Sequence, residues 1–286
     1  MTKQWHSLAL TLLAPCLALA ACAGTEADDT ARSYATVTDA PTPDYSAAAT
    51  PIQRDAVSEI ERFATSPAPP DARAIGDLWL GRLEAHGALM GSGRAGKEPD
   101  DPVSQIDTLL TAREFDAWVA ENGWQAPAHI TWRFQDELTF PRITAAAEQR
   151  VRVWPASERR TGWQLQALES GRVVLRDGCF FVIGHDGGEK LAWFHAETGL
   201  AIDPQGYLVL VDRATGETRA RVGEHMSWAG PNEAPQQGEA VAALRAACGQ
   251  GEVHGVGNPE SSERFVTRYP HLRDNTPPPA PVAAAD

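Results

Sequence analysis

Apolar residues recur every three to four positions over much of residues 52–122, a spacing that predicts helices. Val57, Ile60 and Phe63 follow this spacing and predict a first helix, and Asp71 is expected to open a second. Residues 91–102 are rich in glycine, aspartate and proline and are predicted to form a loop.

A capping box predicts the third helix of this part of the chain. Thr111 is followed three residues later by Glu114, so that each side chain can accept a backbone N–H of the first turn. The helix is expected to end before Gly123. We therefore predict a helical region over residues 52–124.

Alternating and short apolar runs dominate from residue 129 to residue 228 and predict β-strands. The runs Tyr207–Val211 and Glu217–Val222 are separated by a turn sequence that is typical of a hairpin. Several short strands at this interval predict a small antiparallel β-barrel or sandwich. A closing helix is expected over Gly238–Ala247, followed by a short strand near Val253–Val256.

These patterns define an α+β fold class, with a helical region followed by a β-rich domain over residues 125–272. The strand at Gly178 and Cys179, the glycine-containing hairpin and the helix ending in Cys248 resemble small uncharacterised β domains of bacterial envelope proteins. Some of those domains look OB-like. The resemblance covers about half of the chain and implies a fold, but no activity.

The amino terminus has the order of a secretory signal: the cation Lys3, an apolar run over Leu8–Leu19, and then two small residues. The run is shorter than the roughly 20 apolar residues that cross a bilayer. Leu19-Ala20-Ala21-Cys22 resembles the lipobox of bacterial lipoproteins. The resemblance implies a signal peptide of residues 1–21, cleavage before Cys22 and lipid on its sulfur and amino group. An ordinary secretory signal is the alternative.

Two segments are predicted to remain flexible. Residues 22–51 contain almost no large apolar side chain and predict a linker between the lipid and the folded part. Residues 273–286 form a tail rich in proline and alanine. By resemblance to lipoproteins, the absence of aspartate after Cys22 favours sorting to the outer membrane, facing the periplasm, in a host with two membranes.

The formal net charge of −13 argues against nucleic acid as a partner, because a basic surface is missing. The densest basic pair is Arg159-Arg160. The acidity also argues against adhesion to anionic lipid, which leaves the acyl chains as the membrane attachment.

Cys179 and Cys248 remain after Cys16 leaves with the signal and Cys22 takes lipid. In an oxidising compartment they are expected to form a disulfide. Two buried thiols, or one reactive thiol, are the alternatives.

The motifs for chemistry are weak. Gly91–Lys97 matches the start of a phosphate-binding loop, but Glu98 stands where serine or threonine should hold magnesium. His185 and His195 flank a predicted hairpin and are weak candidates for a metal site, without the spacing of known zinc motifs. We predict no cofactor and no metal.

No serine lies in a nucleophile elbow, and paired carboxylates such as Asp136-Glu137 are expected in turns. Nine tryptophans are present, of which one or two are expected to be exposed and to offer aromatic surface to a ligand. We therefore expect a non-enzymatic envelope lipoprotein that binds another envelope protein or peptidoglycan. The alternatives are a periplasm-facing hydrolase with carboxylates or histidines at its site, and a purely structural protein.

Overall fold

The computed structural model describes residues 33–43, 45, 59–98, 100–161, 167–184, 187–230 and 234–269. The predicted signal peptide, Cys22 and the tail 273–286 lie outside these ranges, as does most of the predicted linker. The described residues form five helices and three sheets, with more strand than helix. The prediction of mixed α and β content is confirmed.

The first part of the fold is an α/β unit. Its elements are β1 (Glu61–Arg62), α1 (Ala72–His86), β2 (Leu89–Arg94), β3 (Val103–Thr108), α2 (Ala112–Glu121) and β4 (Thr131–Arg133). Two helices pack with a four-stranded sheet in the order β1-β4-β3-β2, in which β3 and β4 are parallel. The prediction of a helical region over residues 52–124 is therefore corrected in its described part, which contains three strands as well as two helices.

Two segments of this unit have a different secondary structure from the one predicted. Ile60 and Phe63 flank β1, which is extended and pairs with β4, so the first predicted helix is wrong where the structure describes it. Residues 91–94, predicted as loop, belong to β2 and form a hairpin with β3. The helices opened by Asp71 and Thr111 are confirmed.

Aromatic side chains fill the core of the α/β unit. Trp79 of α1 packs edge-on against Trp132 of β4, with ring centroids 5.3 Å apart, and Phe115 of α2 lies 4.6 Å from Trp132. All three side chains are almost fully buried. At the start of α2, Thr111 and Glu114 form the predicted capping box.

Five later strands form a closed barrel. The strands are β5 (Ala167–Arg176), β6 (Cys179–Ile183), β7 (Glu189–Phe194), β11 (His225–Gly230) and β12 (Val253–Ser261). Neighbouring strands pair in the order β11-β12-β7-β6-β5, and β5 pairs with β11 to close the barrel. Four of the five pairings are antiparallel, whereas β12 and β7 are parallel, so the expectation of an antiparallel barrel is corrected for that pair.

A three-stranded sheet lies between β7 and β11 in the sequence, and its last two strands form the predicted hairpin. Its hydrophobic residues, including Leu200, Leu208 and Leu210, share one buried core with the barrel residues. The remaining elements are α3 (Ala145–Glu148), β8 (Thr198–Ile202), β9 (Leu208–Asp212), β10 (Thr218–Arg221), α4 (Glu239–Cys248) and α5 (Ser262–Arg268).

The predicted closing helix is α4, which packs on the outside of the barrel. Val241 and Leu244 are buried against Leu191, Trp193 and Val253 of β7 and β12. A disulfide joins Cys248, at the end of α4, to Cys179 at the start of β6, which confirms the predicted bridge.

Part of the predicted linker is packed on the barrel. Val37 forms a two-way backbone bridge with Leu175 of β5, and Ala40 is buried. The hydroxyl of Tyr45 donates to Glu224 Oε1 at 2.7 Å. The prediction of a flexible linker over residues 22–51 is therefore corrected for residues 34–43 and Tyr45, which pack on the barrel; the rest of the predicted linker lies outside this packed part.

Candidate functional site

The inward face of β5 changes from apolar to polar along the strand. Val173 and Leu175 are fully buried in the barrel core, and side chains in a strand alternate between its two faces. Gly171 and Glu169 therefore continue the inward series toward the start of β5. A carboxylate on the inward face of a barrel strand is costly to bury unless it has polar partners.

The same end of the barrel collects polar side chains from the other strands. It is the end at which β5, β7 and β12 begin and β6 and β11 finish. Lys190 shares the inward series of Ala192 and Phe194, and His254 shares that of Val256. A pocket of about 380 Å³, here called the mouth pocket, is lined by Leu168, Glu169, Ser170, Val182, Gly184, Gly188, Lys190, Trp228 and His254.

Trp228 and His254 both contact one carboxylate oxygen of Glu169 in the mouth pocket. Trp228 Nε1–H donates to Glu169 Oε2 at 2.9 Å, and His254 Nε2 lies 3.0 Å from the same oxygen. The indole and imidazole rings meet edge to face, with centroids 6.2 Å apart. An indole nitrogen is only a donor, and the carboxylate favours a proton on Nε2 of the histidine. The group is therefore fixed in one arrangement, with the carboxylate as the shared acceptor.

Two glycines make room for this arrangement. A Cβ atom on Gly230 would lie 2.5 Å from the carboxyl carbon of Glu169. A Cβ atom on Gly171 would lie 2.5 Å from the carbonyl oxygen of Ile183 and 3.0 Å from the Trp228 ring. Only glycine fits at either position without displacement of the groups that hold the site.

Polar atoms remain available in the mouth pocket. Among the described residues, neither Glu169 Oε1 nor His254 Nδ1 has a hydrogen-bond partner, and both side chains are about one quarter exposed, at 29% and 23%. Lys190 contributes a positive charge and pairs with Glu252 at 2.9 Å. In the tautomer with the proton on Nε2, Nδ1 is an acceptor that lies in the same pocket as the carboxylate acceptor Glu169 Oε1.

The exposed apolar surface at the edge of the mouth pocket belongs to a leucine and not to a tryptophan. Leu168 is 55% exposed, whereas Trp228 is 3% exposed. No tryptophan in the described ranges is exposed, so the expectation of one or two exposed tryptophans is not met there; Trp163 lies outside these ranges. The Trp228 ring therefore supports Glu169 from within the barrel.

The residues singled out from the sequence do not meet in this site. Cys179 and Cys248 form the disulfide, and Cys22 and His185 lie outside the described residues. His195 is 3% exposed, and burial lowers its pKa to about 4. Within the described ranges, no three His, Cys, Asp or Glu side chains are grouped so that they could hold a metal ion.

Sequence reasoning missed the pair of Glu169 and His254 because the residues are 85 positions apart and lie on strands that do not pair with each other. A local signal did exist. The alternation through Val173 and Leu175 places Glu169 on the core face of β5, and a charged residue in a core series indicates a functional position.

Comparisons with protein-family models, with curated proteins and with solved structures found no match to this chain. Of the helices in the described ranges, none has the length and apolar character needed to cross a membrane.

Proposed function

We propose that the chain is a lipid-anchored envelope protein whose barrel binds a small polar ligand in the mouth pocket. The lipobox-like Leu19-Ala20-Ala21-Cys22 supports the anchor, and the disulfide between Cys179 and Cys248 is consistent with export to an oxidising compartment. The five-stranded barrel supports the expected likeness to OB-like envelope domains. Outer-membrane sorting toward the periplasm remains part of this proposal.

The described chain joins the barrel at the end opposite to the mouth pocket. Val37 bridges Leu175, and Tyr34 lies beside Gly178, at the end of β5 opposite to Glu169. Six residues of strand, about 20 Å, separate the two ends. This amino-terminal segment therefore leaves the mouth pocket open to a ligand from the aqueous compartment.

The observation that carries the binding function is the polar layer inside an otherwise apolar barrel. A pocket with an apolar rim and a few fixed polar groups at the mouth of a barrel is typical of ligand sites. Glu169 Oε1 and His254 Nδ1 would accept hydrogen bonds from amide or hydroxyl donors. Peptidoglycan fragments carry both groups, so we propose one sugar or a short peptide portion of the cell wall as the ligand.

A photo-crosslinking experiment in cells tests the location of the site. The photoreactive residue p-benzoylphenylalanine replaces Leu168 at the mouth, or Leu78 on α1 as a matched control, since the two leucines are similarly exposed at 55% and 52%. We expect a cell-wall adduct from position 168 that disappears with Glu169→Gln, and none from position 78. Equal adducts from both positions, or none from either, would contradict binding at the mouth.

The anchor has its own test. In cells fed radioactive palmitate, the chain should take up label and fractionate with membranes, and Cys22→Ser should abolish both. Labelling that persists in the Cys22→Ser variant would place the lipid elsewhere, and absence of label from both forms would favour the ordinary secretory signal.

A second function, hydrolysis, is favoured by one observation, the 3.0 Å contact between Glu169 and His254. A carboxylate that orients an imidazole allows the free Nδ1 to take a proton from water, as a general base does. Incubation of the protein with peptidoglycan fragments, followed by mass spectrometry, distinguishes the two functions. New products that vanish with His254→Gln would indicate an enzyme, whereas binding without products would favour the binding protein.

A further inference from the structure

A second cavity differs from the mouth pocket because arginine side chains line it. Its volume is about 730 Å³. It lies between residues 86–114 of the α/β unit, residues 137–160 of the chain that leads to β5, and Arg213 directly after β9. Five of its lining residues are arginine, in a chain whose formal net charge is −13. We call it the arginine cleft; its charged lining residues are Arg113, Glu114, Glu137, Arg142, Glu158, Arg159, Arg160 and Arg213.

Most of these positive charges lack a carboxylate partner. Arg113 pairs with Glu137 at 2.8 Å, and the carboxylate of Glu114 accepts the backbone N–H of Thr111 in the capping box. None of the other four arginines has a carboxylate oxygen within 4.0 Å among the described residues, whereas most arginines elsewhere in these ranges do. Glu158 is exposed at the rim. The cleft therefore carries an excess of positive charge.

Backbone carbonyl groups hold two of the guanidinium groups in place. Arg213 donates to Phe140 O at 3.0 Å and to Ala196 O at 2.6 Å, and Arg142 donates to Ala156 O at 2.7 Å. The Nε atom of Arg142 is buried and has no hydrogen-bond partner in the described part of the chain. A buried donor without a partner is costly and is commonly satisfied by a bound group.

The positive charges also act on one another. Burial first, and then the charges of Arg142 and Arg160, lower the pKa of Arg213, while Glu197 acts in the opposite direction. One carboxylate oxygen of Glu197, Oε1, already accepts a hydrogen bond from the backbone N–H of Thr161. Like charges in a partly buried site repel, and an anion that enters the site relieves that repulsion.

We propose that the arginine cleft binds a small soluble molecule that carries at least two oxyanion groups, phosphate or carboxylate. Guanidinium groups bind both with paired N–H donors. A single phosphate would contact only part of a 730 Å³ cleft, which favours a ligand with two charged groups. The acidic remainder of the surface repels an anionic membrane, which favours a free ligand over a lipid headgroup.

Calorimetric titration of the full-length mature protein with pyrophosphate, at 150 mM salt, tests the proposal. We expect saturable binding that is at least tenfold tighter than that of inorganic phosphate. Arg160→Gln should weaken it at least tenfold, since one charge-assisted hydrogen-bonded contact contributes about that factor. Arg160 makes no hydrogen bond or ion pair with the described residues, so the thermal unfolding temperature of this variant should not change.

The matched control is Arg133→Gln, which removes the same charge from the exposed face of β4, where Arg133 pairs with Glu61. Its pyrophosphate affinity should equal that of the unmodified protein. Absence of saturable binding, or equal weakening by both substitutions, would overturn the proposal. Tighter binding of dihexanoyl phosphatidic acid than of pyrophosphate would make the ligand a lipid headgroup and would overturn its soluble origin.

Discussion

Removal of the disulfide tests how the closing helix is attached to the barrel. Cys179 and Cys248 are 69 residues apart, so their bond closes a long loop in the unfolded chain. The chain-entropy relation for a loop of this length gives a stabilisation of about 4 kcal/mol. The closed segment includes the β8–β10 sheet and all of α4, so the bond restricts much of the carboxyl-terminal half. The double substitution Cys179→Ala and Cys248→Ala should therefore lower the free energy of unfolding by about 4 kcal/mol.

The assay is urea unfolding followed by circular dichroism, on a chain that begins at Ala23 and is exported with a cleavable secretory signal. That chain contains only these two cysteines. Reductant should destabilise the unsubstituted protein as much as the double substitution does, and it should leave the variant unchanged. Hydrogen exchange in α4 should increase in both cases. A loss of less than about 1 kcal/mol would show that the disulfide adds little to stability and that the packing of Val241 and Leu244 alone retains the helix.

Three further changes have defined outcomes. Burial lowers the pKa of His195 from 6.5 to about 4. As the pH falls, the histidine of the unfolded chain is protonated before that of the folded chain, which favours unfolding. The free energy of unfolding should therefore be independent of His195 above about pH 6.5 and should fall by about 3 kcal/mol toward pH 4. His195→Gln should remove that part of the pH dependence in urea unfolding, and identical pH profiles would contradict it. Thr111→Ala removes the cap of α2 and should cost about 1 kcal/mol in the same assay, with no loss if the cap is unimportant. Gly171→Ala forces a Cβ atom against Ile183 O and should cost about 1–3 kcal/mol, and an unchanged stability would mean that the strands adjust freely.

Local signals in the sequence predicted local structure. The Thr111 and Glu114 spacing, the turn between β9 and β10 and the apolar face of α4 each require contacts within a few residues, and the structure confirms all three. The disulfide was predictable because the expected loss of Cys16 and lipidation of Cys22 would leave only Cys179 and Cys248 to pair. The cap, the turn and the helix face depend on residues within one short segment, and two remaining cysteines allow only one pairing.

Contacts between distant segments account for the differences. Ile60 and Phe63 have helical spacing, but the chain between them pairs with β4, and long-range pairing overrides local spacing. The parallel contact of β12 with β7 joins segments about 60 residues apart, and nothing near Val253 indicates its partner. The α/β unit was missed for the same reason, since β3 and β4 pair only after α2 has crossed between them.

The candidate sites depend on the same distant contacts. Glu169 and His254 are brought together only when the barrel closes, and the arginine cleft requires segments near residues 113, 142, 160 and 213 to converge. From the sequence, Arg159-Arg160 was only a basic pair. Its significance comes from Arg142 and Arg213, which the fold places on the same cleft.

Calorimetric titration with soluble peptidoglycan fragments measures whether the barrel mouth binds a polar envelope ligand. The probes are purified disaccharide peptides, and the variants are Glu169→Gln, His254→Gln and, as a control, Glu121→Gln on the exposed face of α2. We expect saturable binding that is weakened at least tenfold by the first two substitutions and unchanged by the third. No saturable binding, or equal affinities for all three variants, would contradict it.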